Sequence, residues 1–342
     1  MLKVQAPVIL LLITIFMFYL SAREQVKVVG SSTIFPFSCS VAEEFSAREN
    51  YPSPVVTSTG SGGGIKLFCK NNDLNSPDIV NASRRMSKQE YDMCQKNGVS
   101  YITEALIGFD GIVLAQNKSN EAFNITKKEL FLAIAHEVPS KDGKKLIKNP
   151  YNRWNQINPT LQDREIIIYG PPPSSGTRDV LEETLIRSTI KKFPLYKKLD
   201  YSHYSKIRKD GRYISLGEND NIIVQNLAKN TRAFGMLGYS FLVKNSDRLS
   251  SASINGVSPT LETISLSKYP ISRALYLYIN NSHSKKIKSL DPYISFFVSD
   301  PIIAENSMLE DIGLIHLPKP LRLITQENVL NKKRLLRKEL DR

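Results

Sequence analysis

A chain of 342 residues is longer than one hydrophobic core ordinarily supports, so two lobes are expected. Its 46 Lys and Arg against 33 Asp and Glu give a formal net charge of +13, an excess that raises nucleic acid as a partner, yet the basic residues form no aromatic-interleaved stripe. His136, His203, His283 and His316 stand in no catalytic motif, no Cys-x-x-Cys or His cluster marks a metal, and no Gly-x-Ser-x-Gly elbow is present, so hydrolase and metalloenzyme both lack a signal.

Lys3 precedes an apolar block from Val8 to Leu20, and Ser21-Ala22 supplies small residues before Arg23. The block falls short of the roughly 20 residues a spanning helix needs, so residues 1–22 read as an export signal peptide, or as an uncleaved N-terminal anchor, since Leu20 stands where a small residue is usual. Val26 to Val29 alternate as a short strand, Gly30-Ser31-Ser32-Thr33 turns, and Val41, Ala42 and Phe45 give helical spacing after Pro36. Val55 to Ser58 make a second strand that runs into Thr59-Gly60-Ser61-Gly62-Gly63-Gly64 and then Ile65-Lys66-Leu67-Phe68. Another short strand lies within Pro77 to Met86, with Asp78 at one end and Arg84 at the other. Ser87 with Glu90, and Thr126 with Glu129, each form a capping box. Phe109 to Ala115 reads as a strand long enough to cross between lobes, with Tyr276 to Ile279 as the return. Residues 23–112 with 270–330 then make a discontinuous first lobe and 113–269 a second. Lys141 to Pro150 reads as an exposed loop, and 331–342 as a basic tail, helical or frayed. Ile166 to Tyr169 is a further strand, feeding Gly170-Pro171-Pro172-Pro173-Ser174-Ser175-Gly176-Thr177-Arg178-Asp179 and a helix start.

Three of these units deliver Ser or Thr hydroxyls to a helix start, whose unpaired N–H groups point outward. One such turn is an ordinary N-cap, whereas three of the same chemistry read as an oxyanion cradle. The glycines at 62–64 free backbone N–H groups to converge on a small anion. No Gly-Lys-Ser or Gly-Lys-Thr follows them and the dinucleotide pattern Gly-x-Gly-x-x-Gly is absent, which disfavours a nucleotide. A carboxylate beside an anion repels it unless the ligand has a proton to donate. Asp78 is therefore either a selector of hydrogen phosphate over sulfate or a loop carboxylate that caps the next element.

Gly30-Ser31-Ser32-Thr33, Thr59 to Gly64, Asp78 to Arg84, Ser175-Gly176-Thr177, Phe234 to Tyr239 and Tyr269 to Arg273, taken in order, make the chain resemble the phosphate-binding proteins of ABC phosphate importers. Thr126 to Leu130 with Trp154 to Ile157 is similar to the second-lobe pattern of that family. The resemblance implies an α/β, two-lobed periplasmic-binding-protein fold of type II, with the ligand in the interlobe cleft. It implies inorganic phosphate held without metal or cofactor, delivery to the membrane permease subunits of the importer, a periplasmic monomer, no nucleic acid and no enzymatic activity. Binding of another oxyanion, or hydrolysis of phosphate esters outside the cell, are the competing functions. The implied phosphate contacts are Ser32, Thr33, Ile34, Ser61, Asp78, Ser175, Gly176 and Thr177. Some members carry an arginine four residues before the Ser of Ser-Gly-Thr, where this chain has Pro171, so charge compensation falls to Arg84 or Arg178. Cys69 and Cys94 resemble a pair found in part of the family, which implies a disulfide and leaves Cys39 over; three buried thiols are the other reading.

Overall fold

The computed structural model describes residues 23–173, 175–198, 206–216 and 220–341, so the signal or anchor expected at 1–22 lies outside them. Among the described residues no helix is long and apolar enough to cross a membrane. The chain forms an α/β, two-lobed fold around one strand shared by two sheets.

The first lobe starts with β1 (Lys27–Gly30), α1 (Phe35–Arg48), β2 (Val55–Ser58), α2 (Ser61–Phe68), β3 (Ile79–Ala82) and α3 (Lys88–Lys96). β1 pairs in parallel with both β2 and β3, so all three strands end on the same edge of the sheet. Helix α1 begins with a proline in its first turn, where a missing N–H costs nothing, and buries Phe37, Val41, Ala42 and Phe45. Phe45 packs edge-on against Tyr293, and fully burying each such side chain stabilises the lobe by roughly 1.5–3 kcal/mol. Gly30 cannot be replaced without strain, because its φ is +132° and a Cβ would meet the Asn81 carbonyl oxygen at 2.1 Å. A Cβ on Gly64 would meet Gly30 Cα at 2.5 Å, so one member of the glycine run serves helix–strand packing. Cys69, at the end of α2, and Cys94, in α3, are joined in a disulfide, and Cys39 is unbridged.

The strand expected at Phe109 to Ala115 is longer than its sequence signal: β4 runs Ile102–Asn117. Its first part pairs antiparallel with β9 (Ser272–Asn280), which also pairs with β3 and completes the first sheet. Its last residues pair with β7 (Phe234–Gly238) and β8 (Leu249–Ser251). β7 is parallel to β5 (Ile168–Gly170), and β5 to β6 (Tyr213–Ser215), which gives the second lobe its sheet. This lobe also holds α4 (Lys127–Ile134), α5 and α6 (Asp220–Lys229). Helix α5 is continuous through Gly176–Val180, the π-helical Leu181–Arg187 and Ser188–Ile190. The second core is organised by Trp154, Phe123 and Phe234, whose rings lie 4.8 to 5.3 Å apart.

One segment differs from the sequence expectation, and a second follows one of its two readings. Within Lys141 to Pro150, Leu146–Lys148 pairs with Glu137–Pro139 as a hairpin, and only its turn is an exposed loop. Of the two readings of the charged tail, helical holds for Arg337–Asp341, a 3-10 helix, and the segment is docked rather than frayed: the Leu335 N–H donates to Ile102 O at 2.7 Å, Thr103 Oγ1 donates to Lys333 O at 3.0 Å, and Tyr91 Oη donates to Leu335 O at 3.1 Å. Leu335 is buried in the cluster that contains both bridged cysteines.

Candidate functional site

Because β1, β2 and β3 are parallel, their carboxyl ends and the loops that follow converge on one edge, which is where open α/β sheets place ligands. A cleft of about 490 Å³ opens there. Its first-lobe wall is built from Ser31, Ser32 and Thr33 after β1, Gly60, Ser61 and Gly62 after β2, and Ser83 and Arg84 after β3. Neither α1 nor α2 has a side-chain cap at its start; in α1 the Phe35 N–H already donates to Ser31 O and Pro36 has none, so the open first-turn N–H groups are chiefly those of Ser61, Gly62 and Gly63 in α2. Ser61 Oγ accepts from the Ser83 N–H and lies 3.0 Å from Ser83 Oγ, which fixes the second and third loops against each other.

Arg84 lines the cleft and donates to both carboxylate oxygens of Glu90, at 2.9 and 2.7 Å. The hydrogen bonds to Glu90 raise its guanidinium above the ordinary arginine value. Glu90 is also the capping-box residue of α3, so one side chain both starts that helix and orients the cleft arginine. The second cation is Arg273 at the start of β9, which the phosphate contacts implied by the resemblance did not include. Its side chain is 7% exposed, donates to Thr33 Oγ1 and to Glu183, lies 3.8 Å from Asp110, and leaves its buried Nε without a partner. The second-lobe wall consists of Glu182, Glu183 and Arg187, from the π-helical part of α5.

Other expected ligands lie elsewhere. Asp78 precedes β3, at the opposite end from Ser83 and Arg84, and four strand residues at about 3.3 Å each set roughly 13 Å between those ends. It is fully buried, and both of its oxygens are taken: Arg23 donates to each at 2.8 Å, the Lys27 N–H donates at 2.8 Å, and His283 Nδ1 lies 2.6 Å away. Asn280 donating to His283 Nε2 sets the tautomer with Nδ1–H toward Asp78. Burial pushes this carboxyl up, but the hydrogen bonds from His283, Arg23 and Lys27 prevail and hold it below the usual carboxylate range. Asp78 is thus the centre of a structural ion cluster and not a cleft residue.

The Ile34 side chain is in the core, and the residue serves as the N-cap of α1 rather than as a cleft residue. Ser175 spends its hydroxyl capping its own helix by accepting from the Thr177 N–H, and among the described residues neither Ser175 nor Thr177 lines the cleft. Arg178 is buried, donates to Glu182 at 3.0 Å, and lines a separate cavity. Of the two arginines offered for charge compensation, Arg84 alone is in the cleft. Arg273 stood within a motif of the resemblance, but neither its burial nor its pairing with Thr33 and Glu183 has a local sequence signal.

Two lobes joined by shared strands, with an anion cradle at the strand ends between them, define a solute-binding protein. A family model described as the PBP superfamily domain matches residues 20–301, and the chain belongs to that family. The family is one of binding proteins, which is not an enzyme class. The chain is similar to Protein SphX of Synechococcus elongatus, 29% identical over 302 residues, covering 86% of this chain and 78% of the relative. It is similar at 29% identity over 303 residues to the phosphate-binding protein PstS of Staphylococcus saprophyticus, covering 86% and 81%. The crystal structure of a possible phosphate-binding protein from Planctomyces limnophilus superposes with a TM-score of 0.72 at 26% identity, covering 91% of this chain and 99% of that one.

Proposed function

We propose that this protein captures inorganic phosphate in the cleft and, as a periplasmic monomer, delivers it to the membrane permease subunits of an ABC phosphate importer. The observation that carries the reading is the convergence of three hydroxyl-bearing loops, two uncapped helix starts and the guanidinium groups of Arg84 and Arg273 on one cleft. That donor set matches a small tetrahedral oxyanion, which accepts hydrogen bonds on every oxygen. Its relatives, PstS among them by name, support the choice of phosphate. An exported location is supported by the apolar block before Arg23 and by the Cys69–Cys94 bridge, since disulfides persist in oxidising compartments.

Glu183 stands opposite the cradle and suits an anion that keeps one proton, because a carboxylate accepts that proton but repels a fully ionised ligand. Native mass spectrometry of the purified protein, followed by calorimetric titration with phosphate and sulfate, tests the reading. One phosphate per chain is expected, with Arg273→Gln weakening it by about 1.5–3 kcal/mol, the scale of a hydrogen bond to a charged group. Absence of phosphate binding, or equal binding of sulfate, would overturn it.

A further inference from the structure

A second cavity, of about 450 Å³, lies at the carboxyl ends of β5 and β6, the second lobe's counterpart of the edge that holds the main cleft. Among the described residues it shares only Glu182 with that cleft. We propose that it is a separate binding site for an organic phosphate monoester, with the phosphoryl group on Arg178, Lys206 and Lys209 and the organic part against Pro173, Ile207 and Tyr213.

The charge balance carries the first half of the argument. Arg178, Lys206, Arg208 and Lys209 line the cavity, and the carboxylates that meet them are Glu182 on Arg178 and Asp210 on Arg208. Among these described groups, two positive charges remain in excess. Arg208 is fully engaged, donating also to Ala133 O and Tyr151 O, so it braces the wall. Lys206 and Lys209 are exposed at the mouth, while Arg178 is buried and held by Glu182, an arrangement that draws an anion in and then orients it. The main cleft lacks such an excess: against its Arg84, Arg187 and Arg273 stand Glu90 on Arg84 and Asp110 and Glu183 on Arg273.

The second half is the apolar wall. Tyr213 donates its hydroxyl to Pro171 O at 3.0 Å, which leaves its ring to pack, with the Arg178 guanidinium 6.0 Å from the ring centroid. Ile207 is buried beside it. Cations next to an apolar face suit an anion that carries a hydrocarbon or ring.

Phenyl phosphate is the probe, titrated calorimetrically into the Arg273→Gln protein so that the main cleft contributes little. One equivalent is expected to bind, more tightly than inorganic phosphate does in the same protein. Adding Lys206→Ala and Lys209→Ala should weaken it about tenfold, the loss of charge-assisted contacts, with the melting temperature unchanged because both side chains are exposed. In an otherwise native chain the lysine pair should leave inorganic phosphate affinity within about twofold, a readout that separates this site from the main cleft. No binding of phenyl phosphate, equal affinity for inorganic phosphate, or indifference to the lysine pair would each overturn the proposal.

Discussion

Arg273 reaches the cleft from the strand that closes the first sheet, and its charge is shared between Thr33 on one lobe and Glu183 on the other. Glu183 therefore competes with an arriving anion for the same guanidinium. Since Glu183 is 41% exposed, solvent screens the pair and its contribution is about 0.5–1 kcal/mol. Glu183→Gln is expected to raise overall anion affinity by a few-fold and to narrow the preference for phosphate over sulfate; competitive titration at fixed ionic strength reads both. Asp78→Asn should behave in the opposite way. It disrupts a buried cluster with Arg23 and His283, so unfolding experiments should show a loss of about 3 kcal/mol while the phosphate-to-sulfate ratio stays as in the parent. The contrast between Asp78 and Arg84 was legible in principle. In a parallel sheet only residues after a strand reach the ligand edge, and Asp78 comes before β3 whereas Arg84 follows it. The pairing of Arg273 with Glu183 was not legible, because the two are 90 residues apart and meet only through the fold.

Elements whose signals are local formed as their sequences indicated. Both capping boxes are present, Ser87 with Glu90 and Thr126 with Glu129, because each needs only a three-residue span and one helical turn. The strand–turn–helix units are also where alternation and glycine placed them. The tail is the counterexample, since its charge describes the outward face and conceals Leu335, which turns inward. Arg337 donates to both oxygens of the exposed Asp92, while Arg85, held by Glu104 at 2.9 and 3.1 Å, also donates to Glu339 O. Leu335→Ala should cost about 2–4 kcal/mol in denaturant unfolding. Replacing Cys69 and Cys94 together by Ser opens a link of sequence separation 25 and should cost about 3 kcal/mol. All three residues share one buried cluster, so the combined variant should deviate from additivity by about 0.5 kcal/mol or more. An additive result would mean that the strap and the disulfide stabilise the lobe independently.

At the scale of the whole molecule, the strands that join the lobes also carry charge between them. Asp110 on β4 lies 3.8 Å from Arg273, and it adds repulsion to Asp220, the buried first residue of α6. Asp220 accepts from the Gly238 N–H, at the end of β7, at 2.8 Å. Burial, opposed by that hydrogen bond and reinforced by Asp110, raises the Asp220 carboxyl from 3.8 to about 6. The folded protein then holds a proton there that the unfolded chain has released between about pH 4 and 6, so this group favours folding below its unfolded value and the advantage is lost as pH rises through its folded one. At 1.36 kcal/mol per pH unit, the loss by neutral pH is about 3 kcal/mol. Asp78 acts with the opposite sign: its carboxyl is held low, so its contribution is present above the unfolded value and disappears as the solution is acidified. The two trends oppose each other, which makes the parent's stability curve alone a poor reporter of either. Asp220→Asn separates them, because the amide oxygen can still accept from Gly238 while no proton is exchanged. Denaturant midpoints measured from pH 4 to 7.5 should show the variant gaining on the parent as pH rises through 6, with the difference levelling off above pH 7. A constant difference across that range would place the Asp220 carboxyl at its ordinary value, and would remove the interlobe charge network from the account of acid stability.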